Sequence, residues 1–189
     1  MRALLLALLL LVAPAWASGI DPQRLVIDAR SQVGVTLGYD PAYRRLDYPG
    51  GDVSLATGVC SDVLIRALRA QGLDLQRRVH EDMRAHFSAY PNNWGLARPD
   101  RNIDHRRVPN LMTWFQRQGL ALTVSDKPAD YRAGDIVTWD LGNGLGHVGL
   151  VSDRRSAAGV PLILHNIGRG ALEEDILFAY RITGHYRFQ

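Results

Sequence analysis

Hydrophobic positions along the chain change their spacing after Asp130. Before it, apolar residues recur at the three- and four-residue intervals of helices. Pro22–Gln32 predicts a first helix: Asp21 is placed to cap it, Pro22 suits the first helical position, and Leu25, Val26 and Ala29 share a face. The stretch "GYDPAYRRLDYPGGDV" is rich in turn residues. Cys60–Gln71 then predicts a strong helix with Val63, Leu64, Ala67 and Leu68 as its apolar stripe, Thr57 or Gly58 as cap, and Gly72 as its end. Two further helices are expected over Val79–Ala89 and Pro109–Gln118, with "YPNNWGLARPDRNIDHRRVPN" as an irregular segment leading from one into the other.

After Asp130 the runs "GDIVTWDL", "HVGLVSD", "VPLILHNIG" and "ITGHYRF" are short and β-rich, separated by Gly, Asn, Asp and Pro. Helices first and an antiparallel sheet last predict an α+β fold. Leu141–Gly146, "LGNGLG", reads as a hairpin loop. It is a poor phosphate loop, because no helix follows it and there is no G-K-S/T.

The first residues carry a different signal. Met1 and Arg2 make a short basic start, Ala3–Val12 is unbroken and apolar, and Ala15-Trp16-Ala17 is a small-residue cleavage site. Residues 1–17 are therefore expected to be a signal peptide cut before Ser18, leaving residues 18–189 as one domain in the periplasm or outside the cell, without stable membrane insertion. The formal net charge of +3 is too small to point to nucleic acid, and a monomer is expected. His80, Glu81, Asp82 and His86 include metal-capable types, but their spacing does not put the two histidines on one helical face; neither a metal nor another cofactor is expected.

The chain has one cysteine, Cys60, so it cannot form an internal disulfide. Its place at a helix start exposes it to unpaired N–H groups and the positive end of the helix dipole, which stabilise a thiolate and lower its pKa. Such a thiol needs a base. His147 is the best candidate: alternation puts His147, Gly149 and Val151 on one strand face, and Gly146 and Gly149 leave room for another group. In the next run Ile163, His165 and Ile167 share a face. A polar residue there needs a partner, and a ring nitrogen of His147 is one. His165 would then orient His147; Asn166 would take that role if the register shifted by one.

These residues carry a family resemblance. Tyr48 with the Gly50-Gly51 turn, Cys60-Ser61 at a helix start, Gly134-Asp135 opening a strand, His147-Val148-Gly149, and His165 in an apolar strand resemble the pattern of NlpC-type cell-wall cysteine peptidases, which belong to the papain-like superfamily. "GVCSDV", "NIDHRRVPNL", "HNIGRG" and "GHYR" also resemble a smaller secreted bacterial family of unassigned function within that superfamily, over Ala29–Arg187. The resemblance implies a papain-like fold, with the nucleophile helix packed on a C-terminal antiparallel sheet or half-barrel. It makes Cys60 the nucleophile, His147 the general base and His165 the orienting residue. It implies peptidoglycan, or another cell-envelope polymer, as substrate.

Two departures stand out. Val59 and Asp62 occupy positions where the main family carries an acid and a glycine, so recognition next to Cys60 is altered, and Asp62 would raise the thiol pKa by like-charge repulsion. A helical and loop insert over about 78–118 lies outside the minimal pattern. Within it Asp104, His105, Arg106 and Arg107 form a polar cluster whose paired arginines suit a carboxylate. Tyr48, Ser61, Asp62 and Arg169 join that cluster as candidate oxyanion or substrate residues, the Cys60 N–H and Tyr48 hydroxyl being the expected oxyanion donors. The expected reaction is amide hydrolysis through a thioester. The rivals are acyl transfer or lipid ester hydrolysis at the same triad, and a non-catalytic envelope-binding module.

Overall fold

In the computed structural model of the protein, which describes residues 19–142 and 144–189, Asp21 opens helix α1 (Pro22–Arg30) by accepting the Gln23 and Arg24 N–H groups at 2.8 and 3.2 Å. The expected signal peptide lies outside the described residues. Strand β1 (Gly38–Tyr39) pairs in parallel with β2 (Thr57–Gly58), and helix α2 (Cys60–Ala70) leaves directly from that pair. Helices α3 (Leu75–Ala85) and α4 (Val108–Arg117) follow, with short 3₁₀ turns at Phe87–Ala89 and Asp104–Arg106 between them. The second half supplies β3 (Ala121–Leu122), β4 (Ile136–Asp140), β5 (Gly146–Arg155), β6 (Pro161–His165), β7 (Leu172–Glu174) and β8 (Arg181–Tyr186). These six form one antiparallel sheet in the order β3-β8-β4-β5-β6-β7, giving the α+β arrangement.

The sheet is buried on both faces. Ile136, Val148, Leu150 and Leu164 join residues of all four helices in the main core. Val137, Trp139, Val151 and Ile163 on the opposite face make a second core with Tyr131 and Leu177. Alternation along β5 thus divides its residues as the period of two requires. No helix among the described residues is long and apolar enough to cross a membrane.

Helix α2 has no solvated face over its first nine residues: everything from Cys60 to Leu68 is buried. Its apolar side chains each gain about 1.5–3 kcal/mol from burial. Its polar ones need partners there. Ser61 Oγ donates to the Arg106 carbonyl at 2.8 Å, Asp62 pairs with Arg106, and Arg66 pairs with Asp52. Residues 78–118 are therefore no appendage. They lock onto α2 through Arg106 and give Val79, Met83, Tyr90, Leu111, Trp114 and Phe115 to the main core.

Candidate active site

Cys60 is the first residue of α2. The expected caps Thr57 and Gly58 do not cap it. Val59 is the N-cap and has no capping side chain; Asp62 reaches back to accept the Val59 N–H at 2.6 Å. The backbone N–H groups of Val148 on β5 and of Cys60 and Ser61 in the first helical turn lie near the sulfur and favour the thiolate. Burial opposes them and wins. The thiol, 5% exposed, is pushed up to about 11, with a smaller upward push from Asp62. The lowered pKa expected from the helix end is thus overturned, because desolvation of a charged sulfur outweighs the dipole and its hydrogen bonds.

The Val148 contact sets the sulfur beside the residue that follows His147. The β5–β6 register pairs Leu150 with Leu164 and Val151 with Ile163, so His147 and His165 are diagonal neighbours on one face. A Cβ on Gly149 would meet the His165 Cβ at 3.2 Å and the Ile163 Cγ2 at 2.6 Å, so glycine lets the two strands close around the imidazoles. His147 Nε2 is 3.1 Å from His165 Nδ1, and the rings meet edge to face at 5.2 Å. His165 Nε2 is 3.1 Å from Glu174 Oε2. Burial lowers both histidine pKa values: His147 falls to about 3, helped by His165, while His165 falls although Glu174 opposes it. Both rings are therefore neutral near pH 7.

Their tautomers follow from the chain of partners. A carboxylate only accepts, so His165 donates from Nε2 and accepts at Nδ1. His147 then donates from Nε2, which leaves a lone pair on its Nδ1. Trp139, opposite His147 in the β4–β5 ladder, packs against the ring at 5.7 Å between centroids.

Asn166 does not belong to this relay. Its Nδ2 donates to the carbonyls of Gly38 and Gly58, each at 3.1 Å, and ties β6 to the β1–β2 pair. Tyr48 is also elsewhere. Its ring packs edge-on against His80 at 5.3 Å under Arg101, and the Gly50 and Gly51 N–H groups bind Asp74 and Gln76 at the start of α3. Tyr39 lines the space in front of Cys60 instead. Burial, with Cys60 and Asp62 nearby, pushes its hydroxyl up to about 12, so it stays protonated as a donor.

That space is a cleft of about 480 Å³ walled by Tyr39 and Val59, by Trp94, Arg106 and Arg107 of the 78–118 segment, and by Leu145 of the β4–β5 hairpin. A wider opening of about 770 Å³, between residues 122–130 and 178–185, contains neither Cys60 nor His147. Chemistry rather than size assigns the site. Within the expected polar cluster, Arg106 points inward to Asp62, which accepts its Nε and Nη2 groups at 3.0 and 2.9 Å. Ser61 and Asp62 are thus partners of Arg106 and not substrate groups.

Asp104 is buried under the Asp100 N–H and Arg107. His105 is buried too, and desolvation lowers it to about 3. Only Arg107 of that cluster shows an open side chain to the cleft. Arg169 lies at the outer end of the relay, donating to Glu174 Oε1 at 3.2 Å. Glu174 and Tyr39 are the site residues that sequence reasoning missed. Among the described residues no three His, Cys, Asp or Glu side chains gather as metal ligands.

Comparison with known proteins adds a family. The family described as a domain of unknown function (DUF1287) matches residues 26–188. The chain is 61% identical over 160 residues to the uncharacterized protein YijF of Escherichia coli (strain K12), covering 85% of this chain and 78% of that one. Among solved structures it is similar to NlpC1 from Trichomonas vaginalis, with a TM-score of 0.45 and 14% identity, covering 88% of this chain and 44% of that one.

Proposed function

The chain belongs to the DUF1287 family, and we propose that it is an exported thiol hydrolase that cuts an amide bond, in peptidoglycan stem peptides, through a thioester on Cys60. One arrangement supports the chemistry: Cys60 starts α2 against Val148, the residue that follows a His147 ring held in one tautomer by His165 and Glu174. The substrate class rests on the sequence resemblance to cell-wall peptidases.

The resting pair is a neutral thiol and a neutral imidazole, so charge separates only when substrate is bound. As the Cys60 Sγ–carbon bond forms, the thiol proton passes to His147 Nδ1 and the carbonyl electrons move to oxygen. Backbone N–H groups of the first turn of α2, with the Tyr39 hydroxyl, stabilise that oxyanion. Collapse breaks the C–N bond, and the amine leaves with the proton from His147. Water then attacks the thioester, gives a proton to His147, and releases the acid and the restored thiol. His165 and Glu174 are positioning residues: they hold the ring and stabilise its cationic form.

The test is a digest of purified peptidoglycan and its soluble peptides, with new amine and carboxyl ends followed by mass spectrometry. The wild type is expected to release both ends, and Cys60→Ala neither. Cleavage by a folded Cys60→Ala protein would overturn the mechanism, and transfer of the acyl group to an added amine in place of water would make it a transferase.

A further inference from the structure

We propose that the Cys60 cleft is built for a substrate carrying a free carboxylate close to the scissile carbonyl, and that Arg107 reads it. The inference rests on the reading of Cys60 as nucleophile and names what that nucleophile is offered. Among the described residues two charged side chains line the cleft, both arginines, with no carboxylate and no lysine in its wall. The two arginines differ in what they have left to give. Arg106 has a side chain 2% exposed, both Asp62 oxygens on its Nε and Nη2, and the carbonyls of Asp40 and Ala42 on its outer nitrogens. Its charge and its donors are spent inside the protein.

Arg107 has a side chain 17% exposed and a single ion-pair partner among the described residues, Asp104, held through Nη1 at 3.0 Å. Its Nε and Nη2 edge makes no protein hydrogen bond among them. The guanidinium carbon lies over the Trp94 ring, 3.9 Å from its centre, so the fork rests on an indole face. A guanidinium fixed from one side by Asp104 and from one face by Trp94 loses little further freedom when it binds a carboxylate bidentately. Its unbonded Nε and Nη2 edge belongs to a cleft that is otherwise largely apolar: Pro41, Val59, Ile103, Val108, Pro109 and Leu145 supply little competing polarity. The ligand class that fits is an acidic acyl group or peptide whose carboxylate reaches Arg107 while its carbonyl meets Cys60.

Two small reagents test this without knowing the substrate. Iodoacetate and iodoacetamide alkylate the same sulfur and differ in a carboxylate against an amide. Cys60 is the chain's sole cysteine, so each rate reports one site. The ratio of the iodoacetate rate to the iodoacetamide rate is expected to fall about tenfold from wild type to Arg107→Gln. In Arg107→Lys it is expected to recover in part, because the charge returns without the fork. The ratio is taken within each protein, so a general loosening of the fold that moves both rates together leaves it unchanged. An equal ratio in wild type and Arg107→Gln, with both reagents reacting, would overturn the carboxylate assignment and leave the nucleophile standing. A folded wild-type thiol inert to both reagents, yet alkylated in urea, would overturn the nucleophile reading and this inference with it.

Discussion

Two histidine–carboxylate pairs sit in the same sheet, and they are built for different ends. At one place His165 on β6 meets Glu174 at 3.1 Å; at another His185 on β8 meets Asp135 at 2.7 Å. Asp135 is closed off. Arg187 grips both its oxygens, at 2.6 Å each, and the Arg132 N–H adds a third donor. Burial alone would raise the Asp135 pKa, but those donors and His185 outweigh it and hold the carboxyl below its usual range. The His185 ring stacks on Tyr131 at 4.4 Å, and its remaining nitrogen is buried without a partner among the described residues. The His165 pair stays open at both ends: Glu174 is shared with an exposed Arg169, and the ring continues into His147 and the strand beside Cys60. A histidine paired with a carboxylate is therefore not by itself a catalytic signal. The partner of the second ring nitrogen decides between fastener and relay.

The largest separation between the two is expected from removing one ring at each. His147→Ala should lower the hydrolysis rate of the folded fraction by about 10²–10⁴-fold, in addition to the stability lost with a buried ring. His185→Gln should leave the rate of the folded fraction within a small factor, while urea denaturation shows a loss of about 1–3 kcal/mol as Asp135 loses a buried partner. Equal catalytic losses in the two variants would erase the distinction.

A smaller effect tests the relay's outer end. Glu174→Gln keeps size and a hydrogen-bonding group but removes the charge that supports a protonated His147–His165 pair. It should lower kcat about tenfold with KM unchanged, and shift the acid limb of the pH–rate profile. The matching change Asp135→Asn should leave that limb where it is and cost stability instead, because it uncouples Arg187 and His185.

The pH dependence of stability separates the two ends of the site in another way. His147 and His105 are held near 3, below the ordinary histidine range, so the folded state binds their protons less readily than the unfolded chain. Their contribution is present above about pH 6.5 and is lost as pH falls toward 3. Cys60 has the opposite sign of shift. Its contribution is complete below about pH 9 and is lost as pH rises through 11. Denaturant midpoints against pH should therefore show His147→Gln flattening the acid limb alone, and Cys60→Ser flattening the alkaline limb alone.

Local patterning made much of this legible. Helix α2 ends one residue before the expected Gln71, and α1 ends two before Gln32. Helix α3 begins at Leu75, four residues ahead of the expected Val79, because Asp74 caps it by accepting the Gln76 N–H. The run expected to reach Ala89 breaks at His86, where the backbone leaves helical geometry. The β-branched runs at β4, β5, β6 and β8 were readable from alternation. β7 was not: "LEE" shows no apolar alternation, and its Glu174 has meaning only through a ring on the neighbouring strand.

The same limit governs the other differences. His165 and Asn166 differ by one step of register, and it is the Leu150–Leu164 pairing that decides which faces His147. Asp62 and Arg106 are forty-four residues apart, so nothing local shows that one neutralises the other. Tyr48 stood beside a glycine turn that resembled a family pattern, yet that turn is fastened to α3, and Tyr39 takes the place at the cleft.

The most direct measurement is the rate at which iodoacetamide, a neutral reagent, alkylates Cys60 between pH 6 and 10 in folded wild type and in His147→Ala. If His147 receives the thiol proton, the wild type reacts about tenfold or more faster near neutral pH, and the two rates converge as the pH approaches the thiol's own titration. Identical rates across the whole range, in two proteins equally folded, would contradict the pairing of Cys60 with His147 on which the account stands.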